Sequence, residues 1–394
     1  QTLENLEMKK TLVAIAALTA VSAFAQSSVT IDGYFDRGYT TTNNNNNAKD
    51  FKGLGSNAGT TTIGIKGVED LGGGLKVGFS VNTDWADVGS LAQDADTAAG
   101  KLGATAGTTT LPSQAGAFAN SQSYLELVDA KFGTLRLGSP NNDTLTNATA
   151  VASPAFSTGI GSSYSSSFST QNGMGTGTTG AGGLVSLVAM SNTGAGARGI
   201  RQANTVKYIS PVFSGVQFSY SNAQANSNSG TSTIDTVGVT EAALRYTNGP
   251  VDVMYTTLEF KVGSGTAPAN GGLTAGTSSK QNLLGASYQV LPALKLHAGF
   301  GKSSASATTI ANSSSVQYGV TYVVGKFDIL AQVAKVDDKN TTAYDRKMTG
   351  LGVNYNFSKT ARAYVRYDSL NYDTAAAASG SEIKRTAIGI SKSF

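Results

Sequence analysis

Residues 61–85 read TTIGIKGVEDLGGGLKVGFSVNTDW, and this stretch decides the fold. Ile63 and Ile65 alternate with Thr62, Gly64 and Lys66, up to a tight turn at Glu69-Asp70-Leu71-Gly72-Gly73-Gly74. Beyond the turn, Leu75, Val77, Phe79 and Val81 alternate with Lys76, Gly78, Ser80 and Asn82. Alternation of period two on both sides of a glycine-rich turn predicts a β-hairpin. One face is apolar, and the other carries Lys66, Lys76, Asn82 and Asp84. A sheet in water buries its apolar face on a core. A membrane barrel turns that face to lipid and keeps the polar face around water.

The rest of the chain favours the second arrangement. Only 14% of the 394 residues are charged, Gly is abundant, Pro is scarce and Cys is absent. Met8-Lys9-Lys10, the apolar run 11–21 and Ala23-Phe24-Ala25 together read as a secretory signal peptide with cleavage after Ala25. Residues 1–25 are therefore expected to be upstream residues plus signal, and residues 26–394 the folded domain. The apolar run is shorter than the roughly 17–25 residues of a spanning helix, and no later run reaches that length. The formal charge of +4 is small and scattered, which argues against nucleic acid as a partner.

Alternating segments recur along the chain. Val29, Ile31, Gly33 and Phe35 alternate with Thr30, Asp32, Tyr34 and Asp36, and residues 40–57 read as a polar loop with five consecutive Asn. Further strands are expected at 123–128, 131–138, 204–209, 215–220, 237–247, 251–261, 281–289, 294–301, 316–324, 327–336, 348–357, 361–367 and 383–394. With the first strand and the opening hairpin the count is sixteen. Short turns alternate with long polar segments, of which 86–120 and 141–196 are the longest. That rhythm predicts an all-β, sixteen-stranded antiparallel transmembrane β-barrel, with short periplasmic turns and long extracellular loops.

The cost of facing Lys or Arg to lipid fixes the register. It is roughly 2–4 kcal/mol at the midplane, and a slip of one residue exchanges the two faces. Ile63, Leu75, Val77, Phe79, Leu135, Leu137, Val216, Phe218, Leu294, Leu296, Ile388 and Ile390 then face outward. Lys66, Lys76, Arg136, Lys207, Arg245, Lys295, Arg362, Arg366 and Arg385 face the lumen, beside Asp32, Asp36, Asp84, Glu126, Asp252 and Asp328. Sixteen strands enclose too wide a space for side chains to fill, so the lumen holds water. Tyr220, Tyr246, Tyr255, Tyr288, Tyr322, Tyr367 and Phe394 suit interfacial girdles or ordinary strand packing.

The segments 28–33 (SVTIDG), 67–76 (GVEDLGGGLK), 131–138 (KFGTLRLG), 204–211 (NTVKYISP) and 388–394 (IGISKSF) resemble the trimeric general porins of betaproteobacterial outer membranes. The resemblance implies a homotrimer and passive diffusion of small hydrophilic solutes and inorganic ions. It further implies outer-membrane lipid and lipopolysaccharide as surroundings, and export by periplasmic chaperones to a barrel-assembly machinery that reads Phe394. It also implies a third outer loop folded into the barrel as a constriction. That loop starts at Ser139 and contains Asn141, Asn142 and Asp143, its only acid before Gly196. The second outer loop, within 86–120, is expected to latch onto a neighbouring subunit. Thr62 and Ser139 stand where relatives often carry Arg, so the expected anion preference is weak.

Enzyme chemistry finds no support. His297 is the single histidine, there is no cysteine, and no nucleophile motif accompanies it, so His297 reads as a pore-lining or structural imidazole. Gly72-Gly73-Gly74 lacks the Gly-Lys-Ser/Thr continuation of a phosphate loop. No metal or cofactor is expected. A substrate-specific channel on the same fold is the alternative, carried by the hydroxyl-rich segment 141–196. A non-transport role, such as an adhesin or a secreted sandwich, is the third.

Overall fold

The computed structural model describes residues 27–44, 51–84, 119, 121–154, 156, 159–162, 201, 204–224, 237–262, 276, 278–306, 312–339, 345–372 and 382–394. The expected signal peptide, most of 86–120 and residues 163–196 lie outside the described residues.

The chain winds into one closed antiparallel sheet. β1 (Ser28–Asn44) pairs through its first half with β3 (Thr62–Gly72) and through its second half with β2 (Phe51–Gly55). β2 and β3 are therefore two pieces of one stave, split by residues 56–61. There follow β4 (Leu75–Asp84), β5 (Ser123–Asp129), β6 (Gly133–Ser139), β7 (Thr205–Ile209), β8 (Val216–Ala223) and β9 (Val237–Asn248). Next come β10 (Val251–Val262), β11 (Ser278–Leu291), β12 (Leu294–Ala305) and β13 (Ser313–Val324). The last four are β14 (Phe327–Asp338), β15 (Arg346–Asn356), β16 (Ala361–Tyr372) and β17 (Glu382–Ser393). Seventeen elements thus make the sixteen staves expected from the pattern.

β17 closes the sheet on β1, with Gly38 opposite Gly389. The last residue completes the seam. Phe394 exchanges backbone hydrogen bonds with Gly33, each 3.1 Å, and its ring stacks on Phe35 at 6.0 Å between centroids. A side chain at Gly33 would run into the Phe394 ring. Closure leaves no open edge for unwanted pairing.

Burial is inverted relative to a protein folded around an apolar core. On β17, Ile388 and Ile390 are about 60% exposed (62% and 60%), while Arg366 and Asp368 of β16 are 0% exposed. β15 alternates buried Arg346, Met348, Gly350, Gly352 and Asn354 with exposed Lys347, Thr349, Leu351 and Val353. Outward apolar residues and inward polar ones are the arrangement lipid requires. The inner face also carries apolar patches, with Leu258, Phe260 and Leu283 buried there. No described helix is long and apolar enough to cross a membrane; crossing is by strands.

Several strands run a few residues beyond the sequence expectation, as β11, β12 and β16 do, and the largest difference is at the first loop. Residues 40–57 do not form a single polar loop. β1 continues to Asn44 and pairs with β2, because Thr41 and Thr42 meet Lys52 and Phe51 in ladder register. Hydroxyl-rich strand ends look like loop when alternation is the only signal.

Candidate functional site: the lumen wall and its inward loop

From Ser139 the chain turns into the barrel. A five-residue π-helical turn, Thr144–Ala148, runs into a short helix, α1 (Thr149–Ala152). This segment packs against β10, β11, β12 and β13 from inside. The wall makes room by omitting side chains. A Cβ on Gly285 would collide with the Ala148 carbonyl, one on Gly299 with the Ala152 methyl, and one on Gly319 with the Pro154 ring.

Polar wall residues then grip the backbone of the loop. Glu241 accepts from the Asp143 and Thr144 amides, both at 2.7 Å, and from the Thr144 hydroxyl. These are orphan donors at the start of the helical segment, so a carboxylate there satisfies them. His297 Nδ1 stands 3.1 Å from the Val151 carbonyl oxygen, which can only accept, so this nitrogen carries the proton. Gln317 Nε2 donates to the Ala152 carbonyl at 2.8 Å. His297 is thus a structural imidazole under the loop. Glu241 escaped the sequence reading because a single inward Glu gives no hint that a loop will cover it.

Farther on, the loop reaches the opposite wall. Phe156 lies over the Arg366 guanidinium at 5.5 Å, and the Gly161 amide donates to Asp368 at 2.9 Å. The Ile160 amide donates to the Asn57 carbonyl at 2.7 Å, so the loop end rests on the insertion at 56–61. That insertion is itself tied to β1. Asp36 Oδ2 accepts the amides of Asn57 (2.6 Å), Ala58 (2.5 Å) and Gly59 (3.1 Å). Asp36 Oδ1 accepts the Tyr364 hydroxyl at 2.5 Å. Three successive amides converging on one carboxylate form an anion nest supplied by the chain itself.

Two expected pore charges are therefore placed differently. Asp36 is on the inner face but buried beneath the insertion. Asp143 does not stand in open water: it lies 2.9 Å from Lys207 Nζ, accepts the Ser219 hydroxyl at 2.5 Å, and is buried with Lys207. A carboxylate taken from water needs such a partner.

Most of the remaining wall charges are paired, chiefly across neighbouring strands. Lys66 contacts Asp32, Arg136 meets Glu126 at 2.9 Å, and Arg245 grips Asp252 with bonds of 2.9 and 2.7 Å. Arg385 holds Asp368 with bonds of 2.9 and 2.6 Å, Arg201 lies 3.7 Å from Asp84, and Lys76 lies 3.9 Å from Asp70 at the turn. Asp328 accepts from Asn354 and Asn356. Arg201 lay outside the sequence-selected set, because no strand pattern surrounds it. Arg366 is fully buried and donates to Asn354 at 2.7 Å. Arg362 differs in kind. It is half-buried, and its partners are hydroxyls: Ser391 at 3.2 Å and Tyr34 at 3.3 Å. Among the described residues neither Arg362 nor Lys295 has a carboxylate in salt-bridge contact. Of the expected loop residues, Asn141 accepts from Arg201 Nε at 2.9 Å through its side chain and from Lys207 at 3.0 Å through its carbonyl, and Asn142 is buried.

A closed sixteen-stave barrel, apolar outside, charged inside and narrowed by an inward loop, is the architecture of a channel-forming outer-membrane protein. The family model described as Gram-negative porin matches residues 11–375, and the chain belongs to that family. It is 49% identical over 74 residues to outer membrane porin protein 32 of Delftia acidovorans, a match covering 18% of this chain and 21% of that one. It is 28% identical over 277 residues to an outer membrane porin protein of Bordetella pertussis, covering 62% of this chain and 58% of that one. The matched parts thus span less than two thirds of either relative. Among solved structures, the anion-selective porin from Comamonas acidovorans superposes with a TM-score of 0.67 at 23% identity, covering 94% of this chain and all of that one. The Vibrio cholerae outer membrane protein OmpT follows the same fold, with a TM-score of 0.57 at 15% identity over 93% of this chain and 98% of that one.

Proposed function

We propose that this chain is a diffusion channel of the Gram-negative outer membrane, passing small hydrophilic solutes and inorganic ions with a weak preference for anions. The observation that carries the reading is the inward loop docked across a charged lumen wall. Such a loop narrows a barrel without closing it. The anion preference rests on Arg362, whose printed partners are hydroxyls, and on Lys295, which lies near Asp252 without salt-bridge contact, while most other wall cations are ion-paired. The same preference is named for the Comamonas porin. The pore-wall set and the loop residues Ser139, Asn141, Asn142 and Asp143 keep their proposed roles, with Asp36, Asp143 and Lys207 acting as anchors of the constriction.

The proposal includes a homotrimer latched through 86–120, cleavage after Ala25, delivery by periplasmic chaperones, assembly directed by Phe394, and a surrounding of outer-membrane lipid and lipopolysaccharide. It includes no catalytic role. Single-channel recording in planar bilayers tests it. The expected result is stepwise ohmic current with a zero-current potential of anion sign across a KCl gradient. A current that saturates and is blocked by one solute would favour a substrate-specific channel instead. No conductance from a folded barrel would refute the proposal.

A further inference from the structure

The chain's single histidine does more in this wall than seat the loop. His297 lies on the inner face of β12, buried under the inward loop. Its Nδ1–H donates to the Val151 carbonyl in α1, and its Nε2 stands 3.3 Å from the Thr321 hydroxyl on β13. With the proton on Nδ1, Nε2 is the acceptor and Thr321 the donor. Ser287 of β11 stands directly opposite His297 in the ladder, and its buried hydroxyl has no hydrogen-bond partner among the described residues. Gly319 of β13 stands opposite on the other side, where its missing side chain leaves room for Pro154.

A second proton fits on this ring without breaking either bond. Imidazolium donates through both nitrogens. The Val151 carbonyl accepts from Nδ1 in either state, and it is one of the carbonyls that a helix end leaves without an intrahelical partner. The Thr321 hydroxyl changes from donor to acceptor by rotating about its C–O bond. Thr321 is half-buried and lies one ladder row nearer the short turns, opposite Lys295, so it gives a proton its way in from the lumen. The unpartnered Ser287 hydroxyl adds a lone pair on the far side. A buried cation needs oxygens of this kind around it.

The surroundings decide what such a charge does. The inward residues of β11 from Ser279 to Gln289, those of β13 from Ser313 to Thr321, and loop residues 144–154 carry no titratable side chain. On β12 itself the inward neighbour is Lys295, two positions away. Lys295 acts on Asp252 of β10 from beyond salt-bridge distance, and Asp252 is already gripped by Arg245. Asp328, one strand beyond β13, is engaged by Asn354 and Asn356. An imidazolium at His297 therefore adds a second positive charge beside Lys295, with no carboxylate in contact to cancel it. Salt screens a buried charge much less than an exposed one.

We infer that His297 is a proton-dependent determinant of the channel's ion preference. The neutral ring seats the loop through Val151. The protonated ring keeps that seat and adds a fixed positive charge to the wall beside Lys295. Mild acid thus strengthens the preference for anions and leaves the pore open. The inference rests on the channel reading given above, and deepens it by assigning a residue that adjusts selectivity. Imidazole is the side chain whose ordinary titration falls between pH 5 and 8, and this chain holds one, so the effect belongs to one residue.

The test records zero-current potentials of the full-length channel in planar bilayers, across a KCl gradient near 0.1 M, from pH 8 to pH 5. A unit charge a few ångströms from a passing ion changes its occupancy by up to about fivefold under such weak screening. The parent's anion-to-cation permeability ratio should therefore rise roughly twofold to fivefold. H297Q, whose amide still reaches Val151 as a donor, should hold the parent's pH 8 ratio throughout. NMR of the isotope-labelled ring should place its protonation at the midpoint of that rise. Should H297Q fail to assemble, this coincidence decides: a ring that stays neutral to pH 5, or protonates without moving the ratio, overturns the inference. An H297Q channel that follows the parent's pH profile overturns it too, as does acid closure of the parent. An anion-selective parent with a flat profile sinks the inference alone, whereas a parent without current sinks the channel reading and the inference with it.

Discussion

Lys207 Nζ lies 2.9 Å from Asp143 Oδ2, and both groups are buried where the inward loop leaves the wall. One ion pair thus joins β7 to the first turn of the constriction. Removing one partner of a buried pair costs about 3–5 kcal/mol, because the other charge is stranded, whereas removing both is far milder. Lys207→Met should therefore lower the apparent unfolding temperature of the barrel and add current noise from a loosened loop. Lys207→Met with Asp143→Asn should recover most of both. Thermal gel-shift assays and single-channel traces read the cycle. Additive losses in the double variant would mean that the pair does not anchor the loop.

The nest around Asp36 holds the far end of the same loop. Its carboxylate serves the amides of Asn57, Ala58 and Gly59 and the Tyr364 hydroxyl, and Asn57 in turn receives the Ile160 amide. Each hydrogen bond to a charged group is worth about 1.5–3 kcal/mol. Asp36→Ala should free the insertion, let the loop end move, and raise both mean conductance and its scatter. Asp36→Asn, which keeps an acceptor oxygen, should lie between. Conductance histograms unchanged in Asp36→Ala would count against the tie.

Much of this fold is legible in the sequence, because a barrel wall is written in period two. Ile388 and Ile390 face out and Arg385 faces in, as alternation and charge cost require. What alternation cannot carry is pairing across strands. Arg136 finds Glu126 because their strands are in direct register, and Arg385 finds Asp368 for the same reason. The insertion at 56–61 is illegible for another reason. Its fold is set by a carboxylate some twenty residues earlier, and backbone amides, which do the binding, have no letter in the sequence. Asp143 was visible as the loop's acid. Its burial depends on Lys207, Ser219 and Glu241, from three separate strands.

Gly285 tests how closely the loop is seated. Any Cβ there would strike the Ala148 carbonyl. Gly285→Leu should push the helical segment toward the pore axis and reduce conductance severalfold. Overpacking costs about 1–3 kcal/mol, which a closed sheet of this size absorbs, so heat resistance should hold. Undiminished conductance would show that the loop is not held against this wall.

Arg362 should set the sign of selectivity. It is half-buried on the inner face of β16, and its partners, Ser391 and Tyr34, are neutral hydroxyls. The paired cations differ, since Arg245 faces Asp252 and Arg136 faces Glu126 at contact distance. Their fields cancel within a few ångströms, and the field of Arg362 does not. A unit charge in water acts with about 1 kcal/mol on a passing ion at 4 Å, and salt screens it over about 10 Å at 0.1 M and about 3 Å at 1 M. Arg362→Gln should move the zero-current potential toward neutrality, and Arg362→Glu should carry it to the cation side. Both shifts should be larger at 0.1 M KCl than at 1 M. Arg245→Gln should also move the potential toward cations, since it leaves Asp252 unpaired. A potential that ignores Arg362 but follows Arg245 would place the selective field at the β9–β10 wall instead.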